Sequence, residues 1–199
     1  MLDNGHIGVC STLGHIVSAD QLNFNRPDLE STTFRIFYNA YLNAVLNYSV
    51  EPEEKLDIFQ HIDFKRKKQI VMVGFFRPVV AKFKEMGIPL KIFDRIENDE
   101  ILNPYADMKR ALNEASSVIL TSTSIFNGTF LDITEQTPQN SDIFLLGPSS
   151  ILHPDMKKYR NVNKVYGALF NPYDENILDI IAQGHGTQTF LKFGQKVNI

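Results

Sequence analysis

The chain has 199 residues, 43% of them hydrophobic and 22% charged, with a formal net charge of −3. A chain of that length can bury a substantial core, and that balance excludes both a disordered chain and a broadly basic, polyanion-binding surface. A single cysteine, Cys10, excludes an intrachain disulfide framework and a Cys-based zinc site, which points to a reducing compartment. Residues 1–6, Met-Leu-Asp-Asn-Gly-His, lack the basic and apolar regions of a signal peptide, and no run reaches the length of a membrane span, so a cytoplasmic location is expected.

From Ile7 to Val17, short β-compatible runs broken by Gly14 predict a hairpin or bulged strand pair. Phe34, Phe37, Tyr38, Tyr41, Leu42, Val45 and Leu46 then recur at three- and four-residue steps after a start signal at residues 28–31, predicting an amphipathic helix over Glu30–Tyr48. On that helix Asn39, Asn43 and Asn47 form an i, i+4, i+8 stripe roughly opposite the aromatic face. Such a stripe is ordinarily solvated; with the helix sandwiched against a following domain it would face a cleft instead. Glu51–Lys68 is polar around Leu56, Ile58, Phe59 and Ile62 and reads as a connection with one short helix. Its basic run, Lys65–Lys68, has no interleaved aromatics to stack on bases and reads as a solvated strand entrance rather than a phosphate patch. The junction falls here, giving a small α+β domain, hairpin plus helix, over residues 1–63 and a second domain over 64–199.

Beyond the junction, short continuous apolar runs alternate with helical stretches, the pattern of buried parallel strands joined by right-handed crossovers. Strands are predicted at Gln69–Val73, Leu90–Phe93, Ser117–Leu120, Asp142–Leu146 and Lys164–Leu169, with an edge strand at Thr189–Phe193. Helices are predicted at Pro78–Met86, Pro104–Ala115, within Thr129–Gln136 and at Pro172–Gln183, with a turn around Pro154–Tyr159. Asn103-Pro104 and Asn171-Pro172 read as N-cap plus first-turn proline, and Gly87 and Gly184 as helix stops. The fold class is therefore α/β, a Rossmann-like parallel sheet with helices on both faces.

In open α/β sheets ligands bind beyond the carboxyl ends of the strands, so the residues following each strand are the candidates. Gly74, Phe75, Phe76 and Arg77 end the first strand in a glycine before a helix, but bulky residues fill the space a dinucleotide fingerprint gives to glycines, which argues against NAD or FAD. Asp94 closes the second strand, where a Rossmann acid would accept hydrogen bonds from a ribose; a simple strand-end carboxylate near Arg95 is the alternative. Thr121, Ser122, Thr123 and Ser124, followed by Asn127, Gly128 and Thr129, form a dense hydroxyl loop that reads as the polar wall of a pocket, although such clusters also shape turns. Gly147, Pro148, Ser149 and Ser150 repeat the pattern after the fourth strand, so that two such loops would line one cleft. The five histidines form no H-x-x-x-H or H-E-x-x-H pair, and His185 is the one placed on a flexible turn after a helix, which makes it a candidate site residue. No nucleophile elbow and no phosphate-binding loop is present.

As a set, Val73-Gly74-Phe75-Phe76 before a helix, Thr121-Ser122-Thr123 with Asn127-Gly128-Thr129, and Leu146-Gly147-Pro148-Ser149 resemble the Rossmann-like domain of the heavy-metal chelation family, from about Phe64 to the carboxyl terminus. The resemblance implies a preceding small domain like the amino-terminal domain of enolase, here shortened, with the active site in the cleft between the two. The helix containing Ala40–Ala44 is similar to the last helix of that small domain, which would bring Asn43 to the cleft. The family label implies metal chelation, for which Asp94, Asn43, His15 and His185 are the available oxygen and nitrogen donors.

The expected activity is binding of an anionic or metal-chelating metabolite, with Arg77 gripping a carboxylate in a bidentate contact and the hydroxyl loop taking its oxygens. One alternative is transferase or oxidoreductase chemistry on a nucleoside-bearing cofactor such as S-adenosylmethionine, with Asp94 on the ribose. Another is a non-catalytic structural or regulatory homo-oligomer assembled through the aromatic-rich helix. The expected partner is a small molecule, a metal or metal chelate included, and neither nucleic acid nor a membrane.

Overall fold

The structure is a computed structural model and describes residues 1–18, 22, 25–51, 57–95, 99–190 and 192–199. The apolar runs become strands: Ile70–Val73 (β1), Lys91–Phe93 (β2), Ser117–Thr121 (β3), Asp142–Leu146 (β4) and Val162–Phe170 (β5), all parallel, with Gly194–Asn198 (β6) antiparallel to β5. Around them lie the helices Thr32–Leu46 (α1), Ile58–His61 (α2), Arg77–Glu85 (α3), Met108–Glu114 (α4), Thr123–Phe126 (α5), Phe130–Gln136 (α6), Glu175–Ala182 (α7) and Thr187–Phe190 (α8). The strand order is β2-β1-β3-β4-β5-β6, so the winding reverses between β1 and β3. Loops leaving those two strands diverge, and the crevice between them is where doubly wound sheets take ligands.

Because strand side chains alternate, the sheet feeds a core on each face. Val71, Val118, Leu120, Ile143 and Leu145 meet Ala111 and Leu112 of α4 and Ile133 of α6 on one side. Ile70, Met72, Ile119 and Phe144 meet Phe64 and Phe83 on the other. There Phe64 sits edge-on to Phe59, Phe83 and Phe144, with ring centroids 5.6, 4.9 and 6.0 Å away. Each such side chain stabilises the fold by about 1.5–3 kcal/mol through burial.

Four expectations are corrected. Residues 7–17 form no strand: Ile7 and Val9 are buried against Phe170 and Ile177, but side chains take up their backbone groups. Ile7 N donates to the Tyr48 hydroxyl (3.1 Å) and Asn43 Nδ2 donates to the Val9 carbonyl (2.7 Å). Gly8 makes this approach possible, since a Cβ there would fall 1.9 Å from the Ala40 carbonyl oxygen of α1. The segment predicted as an edge strand, Thr189–Phe193, instead holds the end of α8, with Phe190 turned onto Phe170; the edge is made by β6 (Leu191 lies outside the described residues).

Neither predicted Asn-Pro cap is used. Asn103 Oδ1 accepts from Ile92 N (2.8 Å), pinning β2, and α7 is capped by Asp174, whose Oδ1 accepts from Asn176 N (3.1 Å). Finally, the inward face of α1 differs from the one its aromatics predict. Asn39, Asn43 and Asn47 are 2–3% exposed, whereas Tyr38, Tyr41 and Val45 are 37–46% exposed. The connecting segment contains the predicted short helix as α2, while Leu56 lies outside the described residues. No helix among the described residues is long and apolar enough to cross a membrane.

Candidate functional site

β1 leaves the sheet at Gly74, whose N donates to the Phe93 carbonyl (2.9 Å) and so clips the exits of β1 and β2 together. Its φ of +99° and the 2.6 Å that would separate an added Cβ from Thr121 Cβ leave room only for glycine. Phe75 and Phe76 follow before α3 begins at Arg77. β2 ends at Phe93 and delivers the half-buried Asp94, then Arg95, whose guanidinium lies 4.7 Å over the Tyr105 ring. β3 ends at Thr121, whose Oγ1 is 3.0 Å from Thr123 Oγ1. After α5, Asn127 Oδ1 accepts from Thr129 N (3.1 Å) and Thr129 Oγ1 (2.7 Å), folding the loop on itself.

These strand exits border an open cleft of about 430 Å³, within the range of small-molecule sites. Gly74, Phe75, Phe76, Asp94, Thr121, Thr123, Asn127 and Thr129, all singled out from the sequence, line it. Sequence reasoning missed Leu13, Gly14, Phe93, Arg95 and Tyr105 as lining residues. Phe93 and Arg95 adjoin Asp94 and could have been inferred from their place at the strand end. Leu13 and Gly14 could not, because no local pattern says that the amino-terminal segment crosses these strands.

The other candidates lie elsewhere. Arg77 is exposed on the first turn of α3, with Nη1 3.4 Å from Asp99 Oδ2 and its guanidinium 4.7 Å over Phe75, outside the cleft lining. Gly128 is exposed at φ +81°. His185 is exposed beyond α7, its N donating to the Ile180 carbonyl (3.1 Å) as the helix closes. Ser122 is buried beneath Gly147: its N donates to the Leu146 carbonyl (2.7 Å), and an added Cβ at Gly147 would stand 2.5 Å from its Oγ.

The loop after β4 does not line the cleft, because the asparagine stripe of α1 covers it. Asn43 Nδ2 donates to the Pro148 carbonyl (3.2 Å), Asn39 Nδ2 to the Ser149 carbonyl (3.0 Å) and Asn47 Nδ2 to the Ser150 carbonyl (3.0 Å). Asn47 Oδ1 accepts in turn from Leu152 N (2.6 Å), and Ser149 Oγ accepts from Ser11 N (3.0 Å). Three side chains one helical turn apart thus meet three successive carbonyls of Pro148, Ser149 and Ser150. Asn43, expected at the cleft, is spent on this ladder.

Cys10 sits beside it. Burial pushes its thiol up to about 12, against smaller opposing hydrogen bonds from Ser149 and Asn39. At neutral pH it is a protonated thiol, which makes it a poor nucleophile. Among the described residues no three His, Cys, Asp or Glu side chains gather in a group able to hold a metal ion.

The fold has solved counterparts. A protein of unknown function from Pyrococcus horikoshii superposes with a TM-score of 0.79 at 22% identity, over 92% of this chain and 79% of that one. A second, from Desulfitobacterium hafniense DCB-2, superposes with a TM-score of 0.71 at 22% identity, over 86% of this chain and 71% of that one. Both are crystal structures from the DUF364 family. No curated protein matches the chain. Residues 57–199 match the model of that same family, described as "Putative heavy-metal chelation", and this chain belongs to it.

Proposed function

We propose that this protein binds a small nucleoside-bearing ligand in the cleft beyond β1, β2 and β3. The observation that carries the reading is the position of Asp94: a carboxylate at the end of β2, in one cleft with the Gly74 exit and with Phe75, Phe76 and Tyr105 among the lining residues, while Phe93 beneath them is fully buried in the core. A carboxylate so placed accepts hydrogen bonds from both hydroxyls of a ribose, aromatic faces hold a base, and the Thr121 and Thr123 hydroxyls reach its polar edges. With Phe75 and Phe76 where a dinucleotide fingerprint has glycines, there is no backbone cradle for a pyrophosphate, which favours a nucleoside over a dinucleotide.

The anionic reading retains one support. Arg95, an exposed residue of the cleft lining with its guanidinium 4.7 Å over the Tyr105 ring, is placed to meet a carboxylate, whereas Arg77 is engaged with Asp99 outside the lining. A nucleoside with a carboxylate tail, such as S-adenosylmethionine, would use both Asp94 and Arg95. The metal implied by the family's description does not fit the donors on view: among the described residues the cleft lining includes no His or Cys, and the Cys10 thiol is held protonated.

Thermal melts of the full chain with adenosine, S-adenosylmethionine, NAD, citrate and divalent cations test the reading. At a hundred times its dissociation constant a ligand adds about 2.7 kcal/mol of stability, a shift of several degrees. An upward shift with the adenosyl compounds is expected; a shift with divalent cations or citrate alone would overturn it.

A further inference from the structure

The cleft has a wall that belongs to no strand or helix. Leu13 and Gly14 line it at the tip of a tight turn closed by His15 N donating to the Thr12 carbonyl (2.9 Å). Both central residues are left-handed, with φ of +51° at Leu13 and +81° at Gly14. Glycine accepts this readily, but a leucine side chain collides with its own backbone there, so Leu13 is held in a conformation its residue type disfavours. The tip is open at Gly14, where an added Cβ would meet no atom of the described residues within 4 Å.

The base of the turn, by contrast, is tied down. Leu13 N donates to Ser11 Oγ (3.3 Å), Ser11 N to Ser149 Oγ (3.0 Å), and the Val9 carbonyl accepts from Asn43 (2.7 Å). The segment is thus anchored to the asparagine-bound loop and projects its tip over the neighbouring cleft. Strain kept at a ligand-facing tip, where asparagine or glycine would relieve it, implies that the leucine side chain itself is needed.

We infer that Leu13 is a ligand-contacting residue, the apolar roof that presses a planar base against the aromatic wall of the cleft. The inference rests on the nucleoside reading and adds to it a selection rule, since an apolar roof favours a flat aromatic ligand over a compact anion such as citrate. It also gives the amino-terminal segment a role in binding that its lack of secondary structure conceals.

Leu13→Asn and Leu13→Gly separate this role from simple packing, because both residues accept the left-handed turn. Calorimetric titration with adenosine and with citrate, alongside thermal melts, is the measurement. Expected are a fivefold or greater loss of adenosine affinity in both variants, citrate affinity unchanged, and a melting temperature equal to or above that of the unmodified chain. Unchanged adenosine affinity in both variants, with the unmodified chain binding adenosine, overturns the roof while leaving the nucleoside reading intact. A parallel drop in melting temperature and affinity assigns Leu13 to packing and likewise overturns it. No binding of adenosine by the unmodified chain overturns the nucleoside reading and, with it, the inference.

Discussion

Two loops of this protein look alike in sequence and have opposite fates. Thr121–Thr129 and Gly147–Ser150 each leave a parallel strand, each carries glycine and several hydroxyls, and the two sit on adjacent strands. The first stays open and lines the cleft. The second is sealed, because the asparagine stripe of α1 occupies its carbonyls, Asn43 on Pro148, Asn39 on Ser149 and Asn47 on Ser150. What separates a cleft-lining loop from a sealed one is therefore set about a hundred residues upstream, by which face of α1 is turned inward.

The sharpest way to break that contrast is to remove a rung of the ladder. Asn47→Ala orphans the Ser150 carbonyl and Leu152 N at once in a site 2% exposed, which costs about 3 kcal/mol and lowers the melting temperature by roughly 6–12 °C. Denaturant melts would show it. Next come the two strand-exit glycines, where alanine is strained by a positive φ and a short contact, at about 2 kcal/mol each. The two differ in rescue. Ser122→Ala should recover part of the loss at Gly147, whose nearest neighbour is the Ser122 Oγ, while Thr121→Ser recovers less at Gly74, where the Cβ stays in place. A double-mutant cycle reads that difference.

In the open loop the expected balance is reversed. Asn127→Ala and Thr123→Val should shift stability by less than about 0.5 kcal/mol yet weaken adenosyl ligand binding about 3–10-fold, measured by titration calorimetry. At neutral pH the smallest effect concerns Cys10, whose thiol has its folded value raised from 9.0 to about 12 and which therefore acts on stability only in alkaline solution. The folded state then keeps a proton that the unfolded chain releases above about pH 9, so this contribution is fully present below pH 9 and fades as pH rises towards 12. Its slope is at most about 1.4 kcal/mol per pH unit. Stability curves for the unmodified chain and Cys10→Ala, compared between pH 8 and 10.5, should converge as pH rises.

The sheet was readable in the sequence because a parallel strand buried on both faces leaves a local trace, a run such as Ile70-Val71-Met72-Val73 between turns. The same logic placed Gly74, Asp94 and Thr121 at the cleft, since strand ends are where doubly wound folds bind. What escaped was nonlocal. α1 carries tyrosines and asparagines at helical spacing on different faces, and hydrophobicity alone selects the tyrosines; only the carbonyls of 148–150 make the asparagines the better inward face. Likewise Ile7–Val17 has strand-like composition, but its backbone is satisfied by Tyr48 and Asn43 side chains rather than by a neighbouring strand. Arg77 illustrates a third case: its position one residue past the turn pointed to the ligand, and the competing carboxylate of Asp99 draws it away.

Amide hydrogen exchange of the full chain with and without S-adenosylmethionine tests the contrast between the two loops most directly. Added protection is expected at residues 74–76, 94–95 and 121–129 and at the 12–15 turn, with none at 147–152. Protection gained at 147–152 without change at 121–129, or no change anywhere, would contradict it.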